Sequence, residues 1–126
     1  MSAAALEASL GAIRQAGSVY GVVFAKGHDL LLHDTPYEQQ KVAELASTVD
    51  DIIYYFEQEK RQPDQLVFGY DGGNLLIMIS GDHRLVVFHH QADEVDFVAM
   101  ASRAFLKDYL MSALASEWLA PVPVAS

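Results

Sequence analysis

Hydrophobic and polar positions alternate along this chain with two different periods, and regular punctuation divides them into eight elements. Leu6, Leu10 and Ile13 fall at i, i+4 and i+7, one helical stripe, so a short first helix is expected over 3–16, with Gly17 as its stop. Val19 to Ala25 is rich in β-branched and aromatic residues, and Leu30 to His33 forms a second apolar run. The turn Lys26–Asp29 between them is too short for a parallel crossover, so the two strands form an antiparallel hairpin.

The strongest local signal follows. Thr35, Pro36, Tyr37 and Glu38 fit a capping box with proline at the first helical position. Val42, Leu45, Ala46, Val49, Ile52, Ile53 and Phe56 then recur at helical spacing over an arc of roughly 120°. The pattern predicts a helix from Pro36 to Lys60, about 37 Å long. Lys60 and Arg61 suit its C-terminus and Pro63 closes it. Three apolar strands come next: 66–70, 75–79 and 85–89. Asp71–Asn74 and Ser80–His83 separate them with turn chemistry, which makes an antiparallel meander. A last helix is expected from Glu94 to Glu117. Phe97, Val98, Ala101, Ala104 and Phe105 would share its core face, with Asp96, Arg103 and Lys107 opposite. Asp108 falls on the apolar side, against the pattern.

Four of the five strands are nearly continuous apolar runs, as expected for strands covered on both faces. The expected architecture is one α/β (α+β) domain. Its single antiparallel five-stranded sheet is sandwiched between helices, in the order α-ββ-α-βββ-α. The domain spans 1–118, and 119–126 is an extended tail rich in proline and valine.

Composition narrows the function. At 126 residues the chain holds one core, and 52% apolar residues are enough to build it. Eight Lys and Arg stand against 17 Asp and Glu, a formal charge of -9. That balance opposes nucleic-acid and anionic-lipid surfaces. There is no cysteine, which excludes disulfides, thiolate nucleophiles, Cys-based zinc sites and Fe–S clusters. The N-terminal stretch carries Glu7 where a signal peptide needs an apolar run, and the longest apolar run is Leu75–Ile79. A cytoplasmic protein is expected.

No catalytic chemistry stands out. Neither a G-x-x-x-x-G-K-[ST] loop nor G-x-G-x-x-G occurs, and Gly72-Gly73 reads as a hairpin turn. The histidines are His28, His33, His83, His89 and His90. Adjacent strand residues point to opposite faces, so His89 and His90 do not share an ion, and no metal-ligand spacing is present. Asp93 and Glu94 suit a helix start; Asp50 and Asp51 read as a solvated helix face. The serines lack a nucleophile-elbow context. The chain is therefore expected to be no enzyme, with no cofactor and no metal.

Two features ask instead for a partner. One flank of the long helix reads Ala43, Ser47, Asp50 and Tyr54, small residues followed by an aromatic anchor, with Asp51 beside them. Strand 66–70 carries no charge, and at a sheet edge it would need covering or pairing.

The element order and several strings resemble the roadblock/LC7 family, over about residues 3–114. The strings are Gly21–Phe24 leading to Asp29–Leu32, Glu44–Ala46, Leu66–Tyr70, Asn74–Met78 and Arg84–Phe88. One departure is Asp29, where the family commonly has glycine. The resemblance implies the sheet order 2-1-5-4-3, with the long helix on one face and the terminal helices on the other. It further implies a homodimer formed by pairing of the third strands and packing of the long helices. On that account Ala43, Ser47, Asp50, Asp51, Tyr54, Leu66 and Phe68 would lie at the dimer and partner interface. Bacterial members often regulate a small Ras-like GTPase on the long-helix surface; eukaryotic ones are dynein light chains or signalling scaffolds. An arginine finger finds only Arg84 and Arg103 as candidates. A small acidic secretion chaperone is the alternative, but such chaperones usually place three strands before the long helix and two after. A small-molecule sensor would need polar groups converging on an apolar pocket, and none is evident.

Overall fold

The computed structural model describes residues 3–27 and 29–119, with side chains over 8–27 and 29–112. The elements follow the expected order: α1 (Ala3–Arg14), β1 (Val19–Lys26), β2 (Asp29–Asp34), α2 (Gln39–Gln58), β3 (Gln65–Tyr70), β4 (Gly73–Ser80), β5 (His83–His89) and α3 (Val95–Leu119). A single 3-10 turn, Ala92–Glu94, leads into α3. The five strands form one antiparallel sheet in the order β2-β1-β5-β4-β3. Two strands precede the long helix and three follow, the opposite of the secretion-chaperone arrangement.

Strand alternation sorts the core into two layers. Val22, Phe24, Leu76, Met78, Leu85 and Val87 point to one face and pack with Ile13 of α1 and Val98, Phe105 and Leu106 of α3. Val23, Ile77, Val86 and Phe88 point to the other and pack on Val42, Val49 and Ile53 of α2. Both faces of the central strands are covered, which is why β1, β4 and β5 read as unbroken apolar runs.

The turns are tighter than the sequence suggested. Lys26 pairs with Asp29, Tyr70 with Gly73 and Ser80 with His83, so each hairpin loop has two residues and the strands run into the turn chemistry. Gly27, Gly72 and Gly81 take the positive φ such loops require. His28 lies outside the described residues.

The start of α2 differs from expectation. The helix begins at Gln39 and is about 30 Å long. No capping box forms: the Thr35 hydroxyl accepts from the nearer Tyr37 amide at 3.2 Å, a turn that competes with the helical cap. Glu38 is extended and makes no side-chain cap bond. Tyr37 instead lays its ring against Phe88, with centroids 5.6 Å apart.

Three further expectations change. α1 ends at Arg14, three residues before Gly17, and α3 begins at Val95 and reaches Leu119. Phe97 and Ala104 leave the core face of α3, Phe97 being 66% exposed; Val98, Ala99, Ser102, Phe105 and Leu106 are buried instead. The stripe is rotated because α3 must face α1 as well as the sheet. Asp108 is explained by that second contact: the Ser9 hydroxyl of α1 donates to its carboxylate at 2.7 Å.

Candidate interaction surface

The flank of α2 is built by its own periodicity. Val42, Ala46, Val49 and Ile53 are buried, so residues about a third of a turn away are lifted clear of the sheet. Ala43, Ser47, Asp51 and Tyr54 lie on that outward side and are exposed, Tyr54 by 62% and its neighbour Tyr55 by 61%. Glu44 and Glu57 are exposed with them, giving the outer face its negative charge.

Asp50 does not share that exposure. It turns inward to Arg84 at the start of β5, with 3.2 Å between Nε and the carboxylate. Arg84 is 8% exposed and also donates to the Gly81 carbonyl at 2.6 Å. The pair pins α2 to the β4–β5 turn. Asp50 therefore reads as an internal anchor rather than a solvated carboxylate, because a guanidinium buried at the sheet needs a charged partner. Arg84 is thus largely buried, with donors committed to Asp50, Gly81 and His83. Arg103, the other candidate finger, projects from α3 on the opposite side of the sheet and donates to the Gln65 amide oxygen at 2.9 Å.

The uncharged strand falls at a sheet edge. β3 pairs with β4 alone, so its other side offers unpaired backbone donors and acceptors among the described residues. Leu66 is half-buried against the α2 layer, while Phe68, Val67 and Tyr70 are 38%, 49% and 41% exposed. Partial burial raises the Tyr70 phenol above its ordinary pKa. Val67, Tyr70 and Tyr55 belong to this surface as well; the sequence marked them by the uncharged run 66–70 and by the position of Tyr55, like Tyr54, off the α2 core stripe.

His83, His89 and His90 pack within the fold. His89 is fully buried, its Nδ1 2.9 Å from the Gln91 carbonyl, and the adjacent His90 stacks on Tyr20 from the other face. His83 stacks on Phe24. Among the described residues no three His, Asp or Glu side chains group as a metal site. No described helix is long and apolar enough to cross a membrane.

The sheet order, the long helix on one face and the paired terminal helices on the other define the roadblock/LC7 fold. Among solved structures, the chain is similar to MglB of Myxococcus xanthus, with a TM-score of 0.71 and 13% identity over 89% of this chain and 99% of that one. A roadblock/LC7 domain from Streptomyces avermitilis matches with a TM-score of 0.63 and 13% identity, over 81% and 93% of the two chains. The gliding protein MglB from Thermus thermophilus matches with 0.59 and 12%, over 83% and 87%. No family model matches the sequence, and no curated protein does. At these identities the likeness is one of fold.

Proposed function

We propose that this chain is a non-catalytic, homodimeric adaptor that binds and modulates a small Ras-like GTPase. The observation that carries the reading is the pairing, in one roadblock/LC7 fold, of an exposed Tyr-bearing flank on α2 with an apolar, unpaired edge strand β3. Two copies joined through β3 would continue the sheet across both chains and bring the α2 helices side by side. Ala43 and Ser47 are small enough for close helix approach, and Tyr54 supplies the buried aromatic that interfaces favour. The paired α2 surface would then receive the GTPase. The MglB likeness in fold and the bacterial members of the resembling family support this choice over a light-chain or scaffold role.

Neither arginine suggested by the sequence lies on the α2 surface, so modulation would act by holding the partner's switch loops rather than by supplying a finger. The exposed Glu44, Asp51 and Glu57 favour a partner with a basic patch. The test is calorimetry with the Ras-like GTPases of the same genome, loaded with GDP or a GTP analogue. Binding to one GTPase, weakened about tenfold by Tyr54→Ala and further by added salt, is expected. Absence of binding and of any change in turnover across the panel would contradict the proposal.

A further inference from the structure

The sheet face opposite α2 carries a second surface. Between α3 and the outer strands β3 and β4 lies an open groove of about 430 Å³. Met78, Leu106, Leu110 and Met111 supply its apolar lining, and Arg103 and Lys107 stand one helical turn apart at its side. Met111 is 60% exposed at the groove, and Met100 and Phe97, earlier on α3 and outside the groove, are 68% and 66% exposed.

The charge of this groove runs against that of the molecule. The chain has 17 acidic residues against eight basic ones, yet among the described residues the groove is lined by two cations and one carboxylate, Asp64. Arg14 and Arg84 are each matched by a carboxylate, at 2.7 and 3.2 Å. Among the described residues, Arg103 meets the neutral amide oxygen of Gln65 and no carboxylate, and Lys107 makes no ion pair. A guanidinium with one donor committed keeps others free for a carboxylate. Methionine side chains adapt to varied apolar partners. The groove is open to solvent rather than enclosed, which suits a docked chain better than an enclosed small molecule.

We infer that this groove docks an acidic segment of a partner protein. The segment buries apolar side chains against Met78, Leu106, Leu110 and Met111, and sets carboxylates on Arg103 and Lys107. No α2 residue lines the groove, so the site is separate from the surface proposed for the GTPase.

Methyl-labelled methionine NMR on the full chain tests it. The four methionines are Met1, Met78, Met100 and Met111, of which Met78 and Met111 line the groove. The probes are an amphipathic synthetic peptide with leucines on one face and glutamates on the other, the same peptide with lysines for glutamates, and dodecanoate. The glutamate peptide is expected to shift Met78 and Met111 more than Met100. The lysine peptide and dodecanoate should leave them in place. The double variant Arg103→Glu, Lys107→Glu should weaken binding about tenfold or more; if it does not fold, Arg103→Gln, Lys107→Gln serves in its place. Three outcomes overturn the inference: signals unmoved by the glutamate peptide, equal response to the lysine peptide, or a matching response to dodecanoate. Because the readout is at Met78 and Met111, its failure is separable from failure of GTPase binding at α2.

Discussion

Ser18 gives two donors to one oxygen of Glu94: its amide at 3.0 Å and its hydroxyl at 2.6 Å. The hydroxyl in turn accepts from the His90 amide at 3.1 Å. This small network ties the start of β1 to the end of β5 and the entry of α3. The Ser18 hydroxyl and then its amide hold the Glu94 carboxyl below the usual carboxylate range. A carboxyl depressed on folding contributes stability that is present above its unfolded pKa of about 4.3 and is lost as pH falls through the lower folded value. Glu94→Gln is therefore expected to melt below the wild type at pH 7, with the gap narrowing as pH falls below the ordinary carboxylate range; thermal melts over that span check this, and a constant gap would contradict it. The Asp50–Arg84 pair predicts a larger effect. Asp50→Ala leaves a buried guanidinium without its carboxylate and should cost about 2–3 kcal/mol in urea unfolding, with much less further loss when Arg84→Met is added. Single-residue roles of this kind were the least legible from sequence. Asp50, Glu94 and Asp108 each have partners on another element, at separations of 34, 76 and 99 residues, and no local pattern reports such a pairing.

The ends of α2 show how far local rules carry. At the C-terminus the helix closes with a Schellman motif: the Arg61 amide donates to the Phe56 carbonyl at 2.8 Å and the Lys60 amide to that of Glu57 at 2.9 Å. Lys60 occupies the position that usually holds glycine, at φ 58°. Lys60→Gly should therefore stabilise the protein by about 1 kcal/mol, read from the urea midpoint; a loss of stability would show that the lysine side chain contributes more than its backbone strain costs. At the N-terminus, a sequence that satisfies the capping-box pattern forms a shorter Thr35–Tyr37 turn because Tyr37 packs on Phe88. Element order, the α2 core stripe and the hairpins were legible because they rest on periodicity and glycine placement. The α3 stripe was rotated because the sequence does not state that α3 also faces α1.

For the whole molecule, burial on both sheet faces leaves, among the described residues, the α2 flank with the β3 edge and the α3 groove as open surfaces. The candidate residues divide accordingly. Ala43, Ser47, Asp51, Tyr54 and Phe68 are exposed and available for an interface, Leu66 is half-buried beneath it, and Asp50 works from inside. Acidic charge on the exposed α2 face fits a solvated surface around an uncharged edge strand, which is a surface suited to self-pairing. Placing a charge on that edge should block the pairing without disturbing the core, since Phe68 is 38% exposed. Joining of two copies through β3 is the central proposal, and sedimentation equilibrium measures it directly. The wild-type chain is expected at twice its 13.9 kDa mass and Phe68→Glu at the single-chain mass. A monomeric wild type, or a dimer indifferent to Phe68→Glu, would contradict it.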